Sequence, residues 1–498
     1  MVRLDVESAP DMTELLTPSA LLIDLYELTM AQAYFRAGRA EQEATFHLSF
    51  RSCPFGGGYA VACGLADAVA RLESLRFAPE ELAYLAGLRG DEGQPLFAED
   101  FLRVLADLRL RLDVDAVPEG SLVFAPEPLV RVRGPILQAQ LVESTLLNAI
   151  SFATLVASKA ARVCHAAGGD PVLEFGLRRA QGSDGALTAS RACFVGGCAA
   201  TSNSLAGLRF GFPVRGTHAH SLVMSFDSER EAFHRFADST ANSVVLLVDT
   251  YHSLAGVRHA IEVGSALRRR GRRLGGIRLD SGDLVSLSRS ARRLLDQAGF
   301  TETVIVGSGD LDEYLIESLK QRGAAIGVWG VGTRMVTADG QPALDSAYKL
   351  AAVRGRDGRW HPRIKLSEEP AKTSIPAAQQ VRRFRDPATH ELVADLIYDA
   401  DAAPAAPLTM TDPLDPSRRR SLAAGLDQEE LLRPVFRAGQ RVYQPPTAAL
   451  ARERLRLELA ALAPGCKRLR DPEQYPVGLE VTLAELRARL VAEAKSDA

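Results

Sequence analysis

Short apolar runs that close on small polar residues and then turn into a helical period recur through the middle of the chain. Val244–Val248 runs into Asp249, Thr250, Tyr251 and His252. Gly275–Leu279 runs into Asp280, Ser281, Gly282 and Asp283. Thr303–Val306 runs into Gly307, Ser308, Gly309 and Asp310, and Ile326–Val331 runs into Gly332, Thr333 and Arg334. Each pattern predicts a β-strand followed by a βα turn. After Asp283 the apolar residues Leu284, Leu287, Ala291, Leu294, Leu295 and Ala298 share one face of a helix. Asp283 or Ser281 can cap its first turn. Repeated strand–helix units predict a parallel sheet, open or closed into a barrel, with its active site at the carboxyl ends of the strands. Those ends carry Asp, Gly, Ser or Thr in every unit, more than a structural turn requires.

The pattern differs on either side. Residues 1–20 form a polar lead-in. Residues 21–150 mix helical stretches with short strand-like runs such as Ser121–Pro126, broken at Cys53–Gly58, and predict an α+β domain. A helix over Ser151–Ala166 opens the α/β region, which is expected to span 151–380. Residues 381–498 are rich in Arg, Ala and Pro, with a loop at Ala402–Pro407 and an amphipathic helix at Ala448–Leu462, and predict a smaller C-terminal domain. The expected fold class is therefore α/β.

The chain has 498 residues, long enough for a large core or several domains. Its net charge of -3 disfavours a protein that grips nucleic acid through phosphates. No apolar run approaches the roughly 20 residues of a membrane helix, so no span is expected. The first residues carry acids and no apolar h-region, which predicts a cytoplasmic protein without a secretory signal. The six cysteines include no CxxC pair and are expected to be reduced thiols, neither disulfides nor zinc ligands. Lysine is scarce, at 7 against 52 arginines, yet Lys349, Lys365 and Lys372 fall within 24 residues. Such a cluster hints at anion handling.

Four segments can carry chemistry. The turns GSGD (307–310) and GVGT (330–333) offer main-chain N–H groups for a phosphate, with Gly309 and Gly332 at their tight points. Neither is a Walker loop. On a strand Arg278 and Asp280 point to one side, where the arginine can hold an anionic substrate. Asp280 or Asp283 is then available for hydroxyls or Mg2+. His218 and His220, in GTHAHS, face the same way if that segment is a strand. They read as structural histidines, as a metal pair, or as containing a nucleophile that takes up a phosphoryl group. A metal-dependent amidohydrolase of the carboxylated-lysine type needs a lysine on a later strand, and none lies between Lys159 and Lys320. Arg178 and Arg179, after an apolar strand, suit a diphosphate or carboxylate clamp.

Taken together, these segments resemble the nicotinate phosphoribosyltransferases, a family of type II phosphoribosyltransferases. The resemblance runs through LLIDLYELTMAQAYFRAG (21–38), FRSCPFGGGYAVACGL (50–65), ESTLLNAISFATLVASKAAR (143–162), EFGLRRAQGSDG (174–185) and ATSNSLAG (200–207). It continues through GTHAHSLVMSF (216–226), LVDTYHSLAG (247–256), GIRLDSGDL (276–284), GVGT, YKL (348–350), KLSEEPAKTSIP (365–376) and KRLRDPEQYPVGL (467–479).

It implies an irregular parallel α/β barrel, an N-terminal α+β domain, and a homodimer with active sites at the subunit interface. The implied reaction converts nicotinate and 5-phosphoribosyl 1-diphosphate (PRPP) to nicotinate mononucleotide and pyrophosphate in NAD salvage. ATP is hydrolysed alongside, and Mg2+ is the metal. By motif, His220 resembles the histidine that becomes phosphorylated, and His218 occupies a variable position. Thr217, Arg278 and Tyr26 resemble nicotinate contacts, with Tyr26 reaching the neighbouring subunit's site. Thr333 resembles a PRPP phosphate contact. Arg178 would bind the nicotinate carboxylate or the diphosphate, and Asp280 and Asp283 would serve the ribose and Mg2+. Two positions depart from the pattern: His252 in DTYH, and Ala377-Ala378 where a glycine often follows the proline. A relative acting on another pyridine, and a catalytically silent binding subunit, are the competing expectations.

Overall fold

The computed structural model describes residues 19–240, 243–404 and 406–496. Of the expected lead-in over 1–20, only Ser19 and Ala20 lie among them. The chain forms two compact units, one of Val156–Pro342 and one of Met1–Leu155 with Ala343–Ala498.

The first of these holds six strands: β1 (Val172–Glu174), β2 (Ala200–Thr201), β3 (Val244–Leu247), β4 (Leu274–Leu279), β5 (Val304–Gly307) and β6 (Val328–Val331). They pair in parallel in the order β2-β1-β6-β5-β4-β3. The class is the α/β expected, with a parallel sheet making half of a barrel. Ile277, Leu279, Ile305, Val306, Trp329 and Val331 are all buried, as strands covered on both faces require. Helices Ser253–Arg269, Leu284–Gln297 and Glu313–Gln321 follow β3, β4 and β5. All four strand–helix runs read from the sequence fall on β3 to β6. Between β2 and β3 the chain adds helices Ser204–Phe210, His220–Met224 and Glu229–Ser239, and between the first two an irregular segment joined to β2 by a parallel bridge between Thr201 and Val214.

The other unit explains why the expected divisions at 150 and 380 do not coincide with the compact units. Its seven-stranded antiparallel sheet runs in the order Trp360–Pro362, Ser346–Arg354, Glu43–Phe50, Pro128–Pro135, Asp113–Ala116, Arg433–Arg437, Gln440–Arg441. Strand Ser346–Arg354 pairs along Glu43–Phe50, and Arg433–Arg437 pairs with Asp113–Ala116. Segments remote in sequence thus share one ladder with the N-terminal region. A second, six-stranded sheet contains Gln379–Arg385 and Leu392–Asp399, and covers a core of Phe384, Ala394, Leu396, Met410 and Leu422.

The helix expected over Ser151–Ala166 is longer, Glu143–Ala167. With the turn of helix before it, Ile136–Ala167 is long and apolar enough to cross a membrane by length and composition alone. Gln138, Gln140, Glu143 and Lys159 interrupt the pattern in sequence. Of its most apolar window 61% is buried inside the fold, so it packs as a core helix. All six cysteines are free thiols.

Candidate functional site

The alternation of β4 brings Arg278 and Asp280 to one side, where they pair at 2.6 Å. Ser308, just past β5, completes a triangle. It accepts a hydrogen bond from Arg278 Nε at 2.7 Å and donates to Asp280 Oδ1 at 2.5 Å. Arg278 also donates to Thr217 Oγ1 at 3.3 Å. The guanidinium therefore keeps two of its five N–H groups for a ligand. It lies over the ring of Phe175, 5.4 Å from the centroid. Burial by itself would raise the Asp280 pKa, but the Ser308 hydroxyl and the Arg278 charge outweigh it and hold the carboxyl below its ordinary value.

Asp249, beyond the end of β3, accepts from the Asp280 N–H at 2.8 Å and from the Ser281 hydroxyl at 2.9 Å, both through Oδ2. Its Oδ1 is buried and has no partner among the described residues. Asp280 spends only Oδ1 on Arg278 and Ser308. Two neighbouring strands thus each present a carboxylate oxygen without a donor. Among the described residues no three His, Cys, Asp or Glu side chains could hold a metal ion by themselves. The pair instead suits a hard cation such as Mg2+, which commonly takes one or two carboxylates and completes its shell with substrate phosphates. Asp283 faces its own helix. It caps Leu284–Gln297, accepting from the Val285 N–H at 3.2 Å and the Ser286 hydroxyl at 2.6 Å.

GTHAHS is not a strand, and its two histidines diverge. His220 opens the short helix His220–Met224, and its Nδ1 lies 3.1 Å from Thr250 Oγ1. Its Nε2 has no hydrogen-bond partner among the described residues. His218 is buried, and its Nε2 accepts the Leu247 N–H at 3.1 Å. Burial, with Arg278 and His220 nearby, pushes its pKa below the ordinary value. The metal-pair alternative has no support in this arrangement.

The glycine turns also differ from the simple reading. Gly309 has φ +95°, and a Cβ there would meet the Asp280 carbonyl oxygen at 1.9 Å, so the β5 turn packs directly on the β4 end. GSGD does not open a helix; that helix starts at Glu313, capped by Asp312, which also pairs with Arg334 at 2.6 Å. Gly332 precedes a single turn, Thr333–Val336, with the Phe175 carbonyl 3.0 Å from where its Cβ would be.

Arg178 and Arg179 lie on an exposed 3-10 turn, Leu177–Arg179, and neither side chain has a partner among the described residues. Beneath them the buried Glu174 accepts from the Gly176 N–H, from Ser190 Oγ at 2.9 Å and from Thr201 Oγ1 at 2.5 Å. Tyr26 belongs to the other unit, on helix Leu25–Arg36, beside exposed Leu22, Leu25 and Met30. Burial and Glu143 push its phenol above the ordinary pKa. In that unit too, Lys349, Lys365 and Lys372 are exposed. Ala377 takes φ +66°, keeping the conformation a glycine would adopt at that departure.

Sequence reasoning gave no role to Glu174, Phe175, Asp249, Thr250 or Ser308. All five stand within three residues of a strand end, inside motifs already singled out. Their position was the usable signal.

Residues 21–151 match the model of the nicotinate phosphoribosyltransferase (NAPRTase) N-terminal domain, and 378–487 that of the nicotinate phosphoribosyltransferase C-terminal domain. The chain is 40% identical over 482 residues to a nicotinate phosphoribosyltransferase of Bacillus subtilis, covering 96% of both chains. It is 36% identical to the Homo sapiens nicotinate phosphoribosyltransferase, over 95% of this chain and 96% of that one. The crystal structure of human nicotinic acid phosphoribosyltransferase superposes with a TM-score of 0.82 at 33% identity, over 94% of this chain and all of that one.

Proposed function

The chain belongs to the nicotinate phosphoribosyltransferase family, and we propose that it joins nicotinate to PRPP, giving nicotinate mononucleotide and pyrophosphate in NAD salvage. The observation that carries this reading is the meeting of Thr217, Arg278, Asp280 and Ser308 at one end of the parallel sheet.

The pyridine nitrogen attacks C1′ of PRPP while the bond from C1′ to the diphosphate oxygen breaks, and the electron pair leaves with pyrophosphate. Positive charge spreads over C1′ and the ring oxygen in the transition state. A carboxylate kept ionised beside it, as Asp280 is, stabilises that charge without reorganising. Arg178 and Arg179, without partners among the described residues, and the spare N–H groups of Arg278 suit the nicotinate carboxylate and the diphosphate. Nicotinamide has no charged carboxylate to offer them. Bound Mg2+ would neutralise the departing diphosphate, and Asp280 with Asp249 is the pair whose free oxygens fit it.

His220 is the proposed site of ATP coupling. With Nδ1 directed to Thr250, the Nε2 lone pair is free to attack the γ-phosphorus, releasing ADP; water later hydrolyses the phosphohistidine to phosphate. The added negative charge beside the pocket would reset affinities between steps. We also propose a homodimer, supported by the exposed apolar face of Leu22, Leu25, Tyr26 and Met30.

The test offers the purified chain PRPP and Mg2+ with nicotinate or nicotinamide, with and without ATP, alongside His220→Ala. Nicotinate mononucleotide from nicotinate alone is expected, stimulated by ATP in the wild type and indifferent to ATP in the variant. Product from nicotinamide instead would indicate an altered pyridine. No product from either would sink the activity and favour a binding subunit.

A further inference from the structure

Between β2 and β3 no strand ladder joins the sheet among the described residues. The irregular segment fastens to β2 through its backbone: the Thr201 N–H donates to the Pro213 carbonyl at 3.1 Å, and the Arg215 N–H to the Thr201 carbonyl at 2.9 Å. On the other side β3 presents the Leu247 N–H, a donor that needs an acceptor once buried. The acceptor is a side chain, Nε2 of His218. We infer that His218 is a positioning residue, whose imidazole closes the seam of the half-barrel and so holds Thr217 and His220 at the site. This deepens the proposed function and rests on it.

The ring is fixed on every side. With Nε2 accepting, its proton sits on Nδ1, which lies 3.3 Å from the Ala219 carbonyl oxygen. One edge packs on Phe236, 4.8 Å between centroids at 66°, and Phe233 lies 5.9 Å away. The neutral form is the one this bonding requires, and burial favours it.

Thr217, next to it, and His220, two residues on, are functional candidates. Thr217 Oγ1 bonds the His218 carbonyl at 3.2 Å and receives Arg278. His220 reaches Thr250, three residues beyond Leu247. The stretch is therefore tied to the end of β3 at two points, one by His218 and one by His220. Without the first tie, the second is left to set the direction of His220 alone. A small displacement of a reacting group is enough to slow a reaction substantially.

The variants His218→Phe and His218→Gln separate this role from packing. Phenylalanine keeps a ring against Phe233 and Phe236 but has no acceptor, whereas glutamine offers an oxygen at similar reach. In full-length protein, amide exchange is read at Leu247 and across Thr217–Met224, together with kcat and KM for nicotinate and PRPP. For the Phe variant we expect exchange faster by about tenfold at both places. We expect kcat/KM for nicotinate lower by about tenfold and weaker ATP stimulation, with KM for PRPP within about twofold. The Gln variant should recover most of each. Unchanged exchange in the Phe variant, or a Gln variant no better than Phe, overturns the proposal. If the Phe variant does not fold, the Gln variant decides, since loss of both protection and turnover there is equally fatal. If the wild type forms no nicotinate mononucleotide, the proposed function fails, and exchange at the two places still decides whether His218 holds the segment.

Discussion

Two of the Arg-Arg pairs in the chain have opposite fates. Arg382-Arg383 lies within strand Gln379–Arg385, whose alternation sends Arg383 inward, fully buried. There it bonds Asp395 at 2.6 Å, Glu458 at 2.5 Å and the Leu122 carbonyl at 2.9 Å. Arg178-Arg179 lies on an exposed turn after β1, with no partner among the described residues. The same dipeptide is architecture in one unit and available charge in the other. A buried charge is tolerated only when paired, whereas an unpaired charge at the edge of a site is kept for a ligand.

The largest effect expected from this contrast is on stability. Arg383→Met leaves Asp395 in the interior without its charge partner and Glu458 with Arg385 alone, and removing one partner of a buried ion pair costs about 3–5 kcal/mol. Urea unfolding should show the midpoint falling accordingly. Adding Asp395→Leu and Glu458→Leu should return much of the loss. If the single variant unfolds like wild type, the buried cluster is not what holds that sheet.

Next in size is Arg178→Ala. Its exposure predicts a stability change within about 0.5 kcal/mol. A charge-assisted hydrogen bond is worth about 1.5–3 kcal/mol, so kcat/KM should fall by about 10- to 100-fold. Steady-state kinetics beside a urea curve checks both. A variant that is destabilised but fully active would reverse the comparison.

These two pairs also mark what was legible. The strand–turn–helix units were readable because an apolar run closing on small polar residues is a local pattern. The Arg278–Asp280 pair followed from strand alternation alone. The burial of Arg383 was not readable, since it depends on Asp395, Glu458 and Leu122, the last of these 261 positions away. Long-range pairing likewise hid the insertion of Arg433–Arg437 into the N-terminal sheet. Ser308 and Asp249 stood in motifs already noticed, but their partners come from neighbouring strands. The role of His218 was invisible because the irregular segment leaves no periodicity to read.

The smallest effect carries the comparison to acids. Beside Arg383, burial, then the charge of Asp395, raise the pKa of the buried Glu127 well above the ordinary value. Its Oε1 has no hydrogen-bond partner among the described residues. Asp280 is shifted the other way by Ser308 and Arg278. The signs follow from linkage. The Glu127 contribution is fully present below the unfolded value, about 4.3, and is lost as pH rises through the raised folded value. The Asp280 contribution is present above about 3.9 and is lost as pH falls through the depressed folded value. Glu127→Gln, a neutral isostere, should therefore flatten the alkaline side of a plot of urea midpoint against pH and leave the acid side alone. Ser308→Ala should do the reverse, moving the Asp280 carboxyl titration, followed by carbon NMR, up toward the ordinary value. If both variants moved the same limb, the two carboxyls would not differ in the way their surroundings require, because burial without donors and burial with them would have acted alike.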